Sequence, residues 1–331
     1  MRKAQAFFVL FAAFAGTVST CSAAEVGIIF TGKVLGFWQG VTRGAQRAAA
    51  DMHVDLVIRS PADGAALDTQ TNIQLKLINY MVQRGVAGIV LAPEPLVGVA
   101  TPYAIPVPTV LVDRNSADYN AISTVATDNF SAGRTAALSL VPVLHKGAKV
   151  AVLRLAANIS STTERENGFL SVARERGWNV VIDTYVGYRF RESQALTDKA
   201  LNGYVGHLDA VFAPAETVSY GAVRVVESMP ANSRPKLVAF DWRPEFLGAL
   251  KRGTLYAAVV QDPYRMGYLA VKTLVAATQG HPPPPRKQYV GVMTVTQSNI
   301  NDPATQTAIA NYGDKQSQRH GGCDSRINGD V

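Results

Sequence analysis

The chain has 331 residues, of which 47% are hydrophobic and 17% are charged, an ordinary composition for a globular protein. That length suits two domains of typical size. The formal net charge is +7, but no block of five or six like charges occurs. A solvated surface is therefore favoured over a nucleic-acid patch, and no nucleic-acid partner is predicted.

The first 24 residues differ from the rest and indicate export. Arg2–Lys3 is a short basic start, Ala4–Val18 carries no charge, and Ser22–Ala24 supplies small residues for cleavage. This pattern is typical of a secretory signal peptide and is too short for a membrane span. Residues 1–24 are therefore predicted to be a signal peptide. A lipid anchor on Cys21 is the alternative, although the residues before it make a poor lipoprotein cleavage box.

Strand-like and helix-like segments alternate along the chain almost without interruption. The first series of predicted elements comprises strand Val26–Thr31, helix Phe37–Met52, strand Val54–Ile58, helix Leu67–Gln83, and strands Gly88–Leu91 and Thr109–Val112. The second series begins near Ile122 and comprises helix Asn129–Leu144, strand Lys149–Leu155, helix Thr162–Arg176, strand Val180–Ile182, helix Glu192–Leu201, strand Ala210–Ala213, helix Thr217–Ser228 and strand Leu237–Phe240. The chain then continues with helix Pro244–Lys251, strand Leu255–Val260, helix Tyr264–Thr278 and strand Tyr289–Thr296.

Most of these strands are continuous apolar runs, which indicates strands buried on both faces. Their alternation with helices indicates parallel βαβ units. So many strands do not fit one sheet, and the series restarts after Ala126, so the predicted fold class is α/β with two doubly wound parallel-sheet lobes. The predicted divisions are residues 25–127 with 262–288 for the first lobe, 128–261 with 289–305 for the second, and a disordered tail over 306–331.

The sequence contains no motif that would carry catalysis. The five histidines lie far apart, and none has metal-ligand spacing with another histidine or a cysteine. The nucleophile elbow GxSxG, the P-loop and the dinucleotide fingerprint GxGxxG are all absent. The chain is therefore predicted to be a binding protein rather than an enzyme, without a metal or cofactor.

Polar residues follow several of the predicted strands. Asp113 and Arg114 come after PTVLV, Asp241 after KLVAF, and Gln261 after LYAAVV. In an open parallel α/β sheet the ligand crevice lies outside the carboxyl ends of the strands. A sugar hydroxyl both donates and accepts, so a carboxylate and a guanidinium on its two sides suit it. These strand ends, together with Arg165, therefore predict a site for a small hydroxylated ligand.

Several segments resemble the type I periplasmic sugar-binding proteins, close to ribose-binding protein and its relatives. They include VPTVLVDRN, VATDNFSAGRTAA, ERENGFLSVARERGWNV and AFDWRPEFLGALKRGTLYAAVVQDPYRMGYLAV. Each segment alone is weakly specific, but their order and spacing together are specific. The resemblance runs from about Val26 to Asn301, and it implies a two-lobed fold with a three-strand hinge.

The resemblance also implies a set of ligand-binding positions. They are Thr31, Phe37, Trp38, Asp113, Arg114, Arg165, Phe190, Ala215, Asp241 and Gln261. The aromatic members would pack against the C–H surface of a sugar ring. Ribose-type relatives carry asparagine at three positions that are Leu35, Ala92 and Ala215 here, and the segments Pro214–Ala215 and Val186–Tyr188 are more similar to receptors for the furanosyl signal autoinducer-2. These departures disfavour a standard fully hydroxylated hexose, and a pentose, deoxysugar, polyol or small furanosyl compound fits as well.

Each of these residues also has a purely structural interpretation. Asp113, Asp241 and Gln261 could be turn residues that follow their strands. Arg165 could pair with a neighbouring glutamate on the surface of its helix. The aromatic pair at 37–38 could belong to the hydrophobic core.

The resemblance implies a monomeric solute-binding protein in the periplasm that delivers its ligand to the permease of an ABC-type importer. Ligand would bind between the lobes and shift an open–closed equilibrium. The expected hinge crossings lie near Thr127, near Gln261–Asp262 and near Gln288–Tyr289. The alternative is a ligand-presenting receptor for a sensor kinase or chemoreceptor. A lac-repressor-type regulator shares the two-lobed core but needs an N-terminal helix-turn-helix, where this chain has a signal peptide.

Overall fold

The computed structural model describes residues 23–32, 35–61, 73–282 and 284–312. Most of the predicted signal peptide with Cys21, and the tail from residue 313, lie outside the described residues. Among the helices of the described part, none has the length and apolar character needed to cross a bilayer.

The described elements follow one another in the predicted alternation. The first stretch contains β1 (Glu25–Ile29), α1 (Gly36–Met52), β2 (Asp55–Arg59), α2 (Ile73–Arg84), β3 (Gly88–Leu91), β4 (Thr109–Asp113) and β5 (Ser123–Thr127). The second contains α3 (Asn129–Leu138), β6 (Lys149–Arg154), α4 (Ser160–Arg176), β7 (Asn179–Tyr185), α5 (Phe190–Leu201), β8 (Ala210–Ala213), α6 (Glu216–Ser228), β9 (Lys236–Phe240), α7 (Pro244–Lys251) and β10 (Ala257–Gln261). The last contains α8 (Pro263–Thr278), β11 (Lys287–Val290), β12 (Val292–Thr296) and α9 (Pro303–Ala310).

The strands form two six-stranded sheets, which confirms the predicted fold class. The first sheet has the order β11-β5-β4-β3-β1-β2, and the second has the order β12-β10-β9-β8-β6-β7. Neighbouring strands are parallel except for the β10–β12 pair, which is antiparallel. The lobe built on the first sheet is called the first lobe below, and the other the second lobe. The chain crosses between them after β5, after β10 and after β11, which makes three hinge strands.

The final predicted strand, Tyr289–Thr296, is two strands that belong to different sheets. Tyr289 and Val290 in β11 still pair with β5 of the first lobe, whereas β12 pairs with β10 of the second lobe. The change of sheet falls at Gly291, so the predicted division after residue 288 comes two residues too early. An apolar run does not reveal a change of partner, because hydrophobic periodicity is the same in either sheet.

Two other predicted boundaries were wrong. The helix predicted to reach Leu144 ends at Leu138 and is followed by turns. The tail predicted to be disordered from residue 306 begins within α9, and Tyr312 after that helix is buried with only 3% of its surface exposed. A single buried aromatic residue in a polar stretch has no periodic pattern, so its long-range packing could not be predicted from the sequence.

Glycines allow helices α1 and α8 to approach closely on the first lobe. A Cβ atom on Gly44 of α1 would lie 1.8 Å from the carbonyl oxygen of Tyr264 at the start of α8. A Cβ atom on Gly267 of α8 would lie 2.0 Å from the carbonyl oxygen of Val41. The helix that follows the second hinge crossing therefore packs tightly onto the first lobe, which fixes where that crossing enters the lobe.

Candidate functional site

A cavity of about 410 Å³ lies between the two lobes, at the carboxyl ends of strands from both sheets. Its volume falls within the range of small-molecule sites. All ten sequence-predicted positions line it, namely Thr31, Phe37, Trp38, Asp113, Arg114, Arg165, Phe190, Ala215, Asp241 and Gln261. The structure thus brings together residues that are up to 230 positions apart in the chain.

The two aspartates occupy corresponding places in the two lobes. Asp113 ends β4 with a φ of 74°, and Asp241 directly follows β9 with a φ of 67°. Positive φ is uncommon for residues other than glycine, although aspartate tolerates it better than most. Backbone in this region concentrates at functional sites, where the surrounding structure holds it in place.

Asp241 is held by three hydrogen bonds from protein groups. Its Oδ1 accepts from Gln261 Nε2 at 2.7 Å and from the Tyr312 hydroxyl at 3.2 Å, and its Oδ2 accepts from the Glu216 amide at 3.0 Å. Burial raises the pKa of the Asp241 carboxyl, although the nearby positive charge of Arg165 acts to lower it. Asp241 thus stabilises the first turn of α6 and also lines the cavity. It therefore has a structural role in its own lobe in addition to its position in the candidate site.

Gln261 connects the lobes at the second crossing. Its Oε1 accepts from the Thr127 hydroxyl at 2.7 Å, and its Nε2 donates to Asp241. Thr127 ends β5 in the first lobe, whereas Gln261 ends β10 in the second. The backbone amide of Gln261 donates to the Tyr312 oxygen at 3.0 Å. Gln261 is therefore part of the hinge and not only a turn residue.

Arg165 lies in the interior, so its interpretation as a surface ion-pair partner was wrong. Only 3% of its surface is exposed, and it donates to Asn129 Oδ1 at 2.8 Å and to the Pro214 carbonyl at 3.0 Å. Its guanidinium lies 4.0 Å from the centre of the Phe240 ring. A Cβ atom on Gly133 of α3 would lie 1.9 Å from the Arg165 carbonyl oxygen, so close packing of α3 on α4 sets the position of the arginine.

Phe37 and Trp38 belong to the core and to the cavity wall at once, whereas Phe190 is a half-buried residue of the cavity wall. Phe37 and Trp38 begin α1, are both buried, and make an edge-to-face contact with ring centres 4.9 Å apart. Phe190 begins α5 and contacts the ring of Tyr220 at 5.5 Å. Packing fixes the rings, so they present preformed apolar faces to the cavity.

Glu216 lines the cavity and was not among the sequence-predicted positions. It begins α6 in the second lobe, and its carboxylate accepts from the amides of Gly36 and Phe37 in the first lobe, each at 3.3 Å. Arg243 Nη1 donates to the same carboxylate at 3.0 Å. Burial raises the pKa of Glu216 to about 7, with the nearby Asp241 charge acting in the same direction.

Glu94 also lines the cavity and was also missed. It comes shortly after β3, is 2% exposed, and accepts from Arg114 Nη1 at 3.3 Å. Arg114 Nε donates to Asp113 Oδ2 at 3.0 Å, so one guanidinium joins two carboxylates. Burial raises the pKa of Glu94 to about 7, although the positive charge of Arg114 acts to lower it. The position of Glu94 after a buried strand could have predicted its place in the cavity, because the same kind of position predicted the place of Asp113.

Apolar residues that replace the asparagines of ribose-type relatives lie on both walls of the cavity, one wall from each lobe. Leu35 and Ala215 line the cavity, and Leu155 and Ile159 extend its apolar surface. Ala92 is buried but does not line the cavity. Within the described ranges no cluster of histidine, cysteine, aspartate or glutamate could hold a metal ion.

Comparison with known families matches residues 26–282 to the periplasmic binding protein domain. Among curated proteins, the ribose import binding protein of Haemophilus influenzae is 28% identical over 243 residues, which is 72% of this chain and 80% of the relative.

Solved structures show the same fold. A carbohydrate transporter solute-binding protein from Agrobacterium radiobacter, in complex with D-arabinose, is 25% identical with a TM-score of 0.77, over 88% of this chain and all of the other. The periplasmic component of an ABC-type sugar transport system from Hahella chejuensis is 28% identical with a TM-score of 0.73, over 82% of this chain and 99% of the other.

Proposed function

The chain belongs to the periplasmic binding protein family, and we propose that it captures a small polyhydroxylated ligand between its lobes for an ABC-type importer. This family consists of binding proteins rather than enzymes. The H. influenzae relative is a ribose import binding protein, and the A. radiobacter structure holds D-arabinose. These relatives support a monosaccharide or a related polyol as the ligand class.

The observation that carries the proposal is the composition of the cavity between the lobes. Two carboxylates at positive-φ strand ends, Asp113 and Asp241, line it together with Arg114 and Arg165. Charged groups make the stronger hydrogen bonds to hydroxyls, and the aromatic faces suit the C–H surface of a sugar ring. The ten sequence-predicted positions are proposed to bind the ligand on this basis.

The contacts across the cavity support ligand-linked closure. The carboxylate of Glu216 in the second lobe accepts from the amides that begin α1 in the first lobe. Such contacts exist only when the lobes are close together. A ligand that contacts both walls binds the closed form better and therefore shifts the equilibrium toward it.

The apolar wall positions narrow the proposed ligand class. Leu35 and Ala215 offer no hydrogen bond where an amide would offer several. A ligand hydroxyl facing these side chains would lose its hydration without compensation. A pentose, a deoxysugar, a polyol or a small furanosyl compound therefore fits better than a fully hydroxylated hexose.

A thermal-shift screen of the mature protein, beginning at Glu25, tests the proposal. The panel contains D-ribose, D-arabinose, D-allose, D-fucose, D-glucose, ribitol and the furanosyl signal autoinducer-2, and each hit is followed by isothermal titration calorimetry. A true ligand at 100 times its Kd should stabilise the protein by about 2.7 kcal/mol. If no sugar or polyol shifts the melting temperature, the proposed ligand class is wrong.

Delivery to an importer is tested in cells. Deletion of the gene should slow uptake of the radiolabelled ligand found in the screen, and the periplasmic fraction should contain the mature protein as a monomer. Unchanged uptake together with loss of a ligand-dependent transcriptional response would instead favour a receptor that presents its ligand to a sensor kinase or chemoreceptor.

A further inference from the structure

The segment that carries Glu94 is fixed by a buried polar network in the first lobe. The Glu94 amide donates to Gln74 Oε1 at 2.8 Å, and the Glu94 carbonyl accepts from the Tyr119 hydroxyl at 2.9 Å. Gln74 in turn donates to the Ala92 carbonyl at 2.8 Å. The backbone of Glu94 is therefore held on both sides before any ligand arrives, as a pre-organised binding group requires.

One oxygen of this carboxylate has no hydrogen-bond partner in the described protein. Oε1 accepts from Arg114, whereas Oε2 is buried and has no donor. Among the buried side-chain atoms of the described residues that lack a partner, only Glu94 Oε2 belongs to a residue that lines the cavity. Buried carboxylate oxygens are normally hydrogen-bonded, because leaving one unpaired is costly. Because Glu94 lines the cavity, a ligand bound there can supply the donor that Oε2 lacks.

The neighbouring charges indicate what kind of donor fits. Arg114 is shared between Glu94 and Asp113, so this corner of the cavity holds two carboxylates for one guanidinium. A ligand carboxylate or phosphate would add like charge beside them. A hydroxyl can donate its hydrogen to Oε2 and still accept from a neighbouring group.

We propose that Glu94 is a specificity-determining ligand contact, whose Oε2 accepts a hydrogen bond from one hydroxyl of the bound sugar or polyol. This inference rests on the proposed function and adds a residue to its site. The hydroxyl that Glu94 recognises lies on the part of the ligand that faces Asp113 and Arg114.

Calorimetric titration of wild type, Glu94→Ala and Glu94→Gln tests the assignment. The titrants are the panel sugar that binds wild type most tightly and its single-position deoxy analogues. Loss of a hydrogen bond to a charged group predicts that Glu94→Ala weakens binding of the parent sugar about 10- to 150-fold. One deoxy analogue should lose affinity for wild type and show no further loss with Glu94→Ala. The reason is that the missing hydroxyl and the missing carboxylate are the two partners of one hydrogen bond, so their effects are not additive in a double-mutant cycle.

Melting temperatures of the ligand-free proteins separate a binding role from a structural one. Glu94→Gln keeps the shape of the side chain and removes a buried charge that lacks one partner, so its melting temperature should equal or exceed that of wild type. Glu166→Gln is the matched control, since Glu166 is also buried and paired with an arginine but does not line the cavity. It should leave affinity for the parent sugar unchanged.

The possible failures can be told apart. If no panel sugar binds wild type, the proposed function fails and this inference fails with it. If wild type binds a sugar and Glu94→Ala binds it equally well, or if no deoxy position is coupled to Glu94, the inference alone is overturned. A lower melting temperature of Glu94→Gln with unchanged affinity would assign the residue a structural role and would also overturn it.

Discussion

Glu216→Ala is expected to open the protein, and the structure allows the size of the effect to be worked out. The carboxylate makes two hydrogen bonds to the first lobe and one to Arg243, which lies in its own lobe. The contact with Arg243 can persist in both the open and the closed form, so it does not bias the equilibrium between them. Only the two bonds to Gly36 and Phe37 belong to the closed form alone.

Both of these bonds are 3.3 Å long, whereas charge-assisted hydrogen bonds are usually shorter than 3 Å. We therefore assign the pair the value of one good hydrogen bond to a charged group, about 1.5–3 kcal/mol. Loss of that free energy lowers the ratio of closed to open protein about 10- to 150-fold. Ligand affinity should fall in proportion to the fraction of protein that is closed, wherever the closed form is the binding form.

Distances between spin labels on the two lobes measure this ratio directly. Lys76 on α2 and Lys199 on α5 are exposed and suit labelling after substitution to cysteine in a Cys323→Ser background. At a ligand concentration that closes half of the wild-type protein, Glu216→Ala should shift the distance distribution toward longer distances, and saturating ligand should restore the short one. An unchanged distribution would refute the reasoning, because the two cross-lobe bonds would then contribute nothing to closure.

Glu166→Ala provides the matched control for this experiment. Glu166 accepts from the Leu155 amide at 3.2 Å and from Arg154 Nη1 at 2.9 Å, contacts of the same kind that all lie within the second lobe. The control should lower the melting temperature without moving the spin-label distances. If both variants lengthen the distances equally, general destabilisation rather than a cross-lobe contact explains the result.

Three further outcomes are expected. Asp241→Ala should weaken ligand binding by about 1.5–3 kcal/mol, or roughly 10- to 150-fold in calorimetry, and unchanged affinity in a folded variant would contradict a binding role. Tyr312→Phe should lower the free energy of unfolding in urea by about 1–3 kcal/mol, because the buried Gln261 amide loses its acceptor, whereas a disordered tail would give no change. Burial raises the pKa of Glu94, Glu166 and Glu216 from the ordinary 4.5 to about 7, so the folded protein binds more protons than the unfolded chain between these values. The free energy of unfolding should therefore fall as pH rises through that window, and Glu166→Gln should make the fall less steep; a rise in wild type across the window would contradict this.

Strand ends were the part of the site that the sequence could predict. Asp113 and Asp241 each follow a short, continuous apolar run, and that pattern alone placed both at the crevice edge of a parallel sheet. The same rule applies to Glu94, which comes soon after the buried run of β3. The resemblance to the family implies no ligand-binding residue at that position, so the sequence-predicted set does not contain Glu94.

Other parts of the site depend on contacts that no local pattern contains. The sequence does not decide whether the Arg165 side chain lies on the helix surface or in the cleft. The contact that decides it is the close approach of Gly133, which belongs to another helix, to the backbone of Arg165. Glu216 opens α6, where an acidic residue suits a helix N-terminus in any protein. Its contact with the amides of α1 depends on how the two lobes face each other. Tyr312 reaches Asp241 from 71 residues away, and its surroundings in sequence are polar.

The two walls of the cavity differ in how their polar groups are restrained. In the second lobe, both oxygens of Asp241 and both ends of the Gln261 amide are bonded to protein atoms. Their side chains are thus held in place before binding, and a ligand that meets them pays little of the entropy cost of immobilising side chains. In the first lobe, Glu94 is fixed through its backbone but keeps one carboxylate oxygen unpaired. A change of ligand specificity is therefore expected to arise at Glu94 with less damage to the fold than at Asp241, where any substitution also removes contacts to Tyr312 and α6.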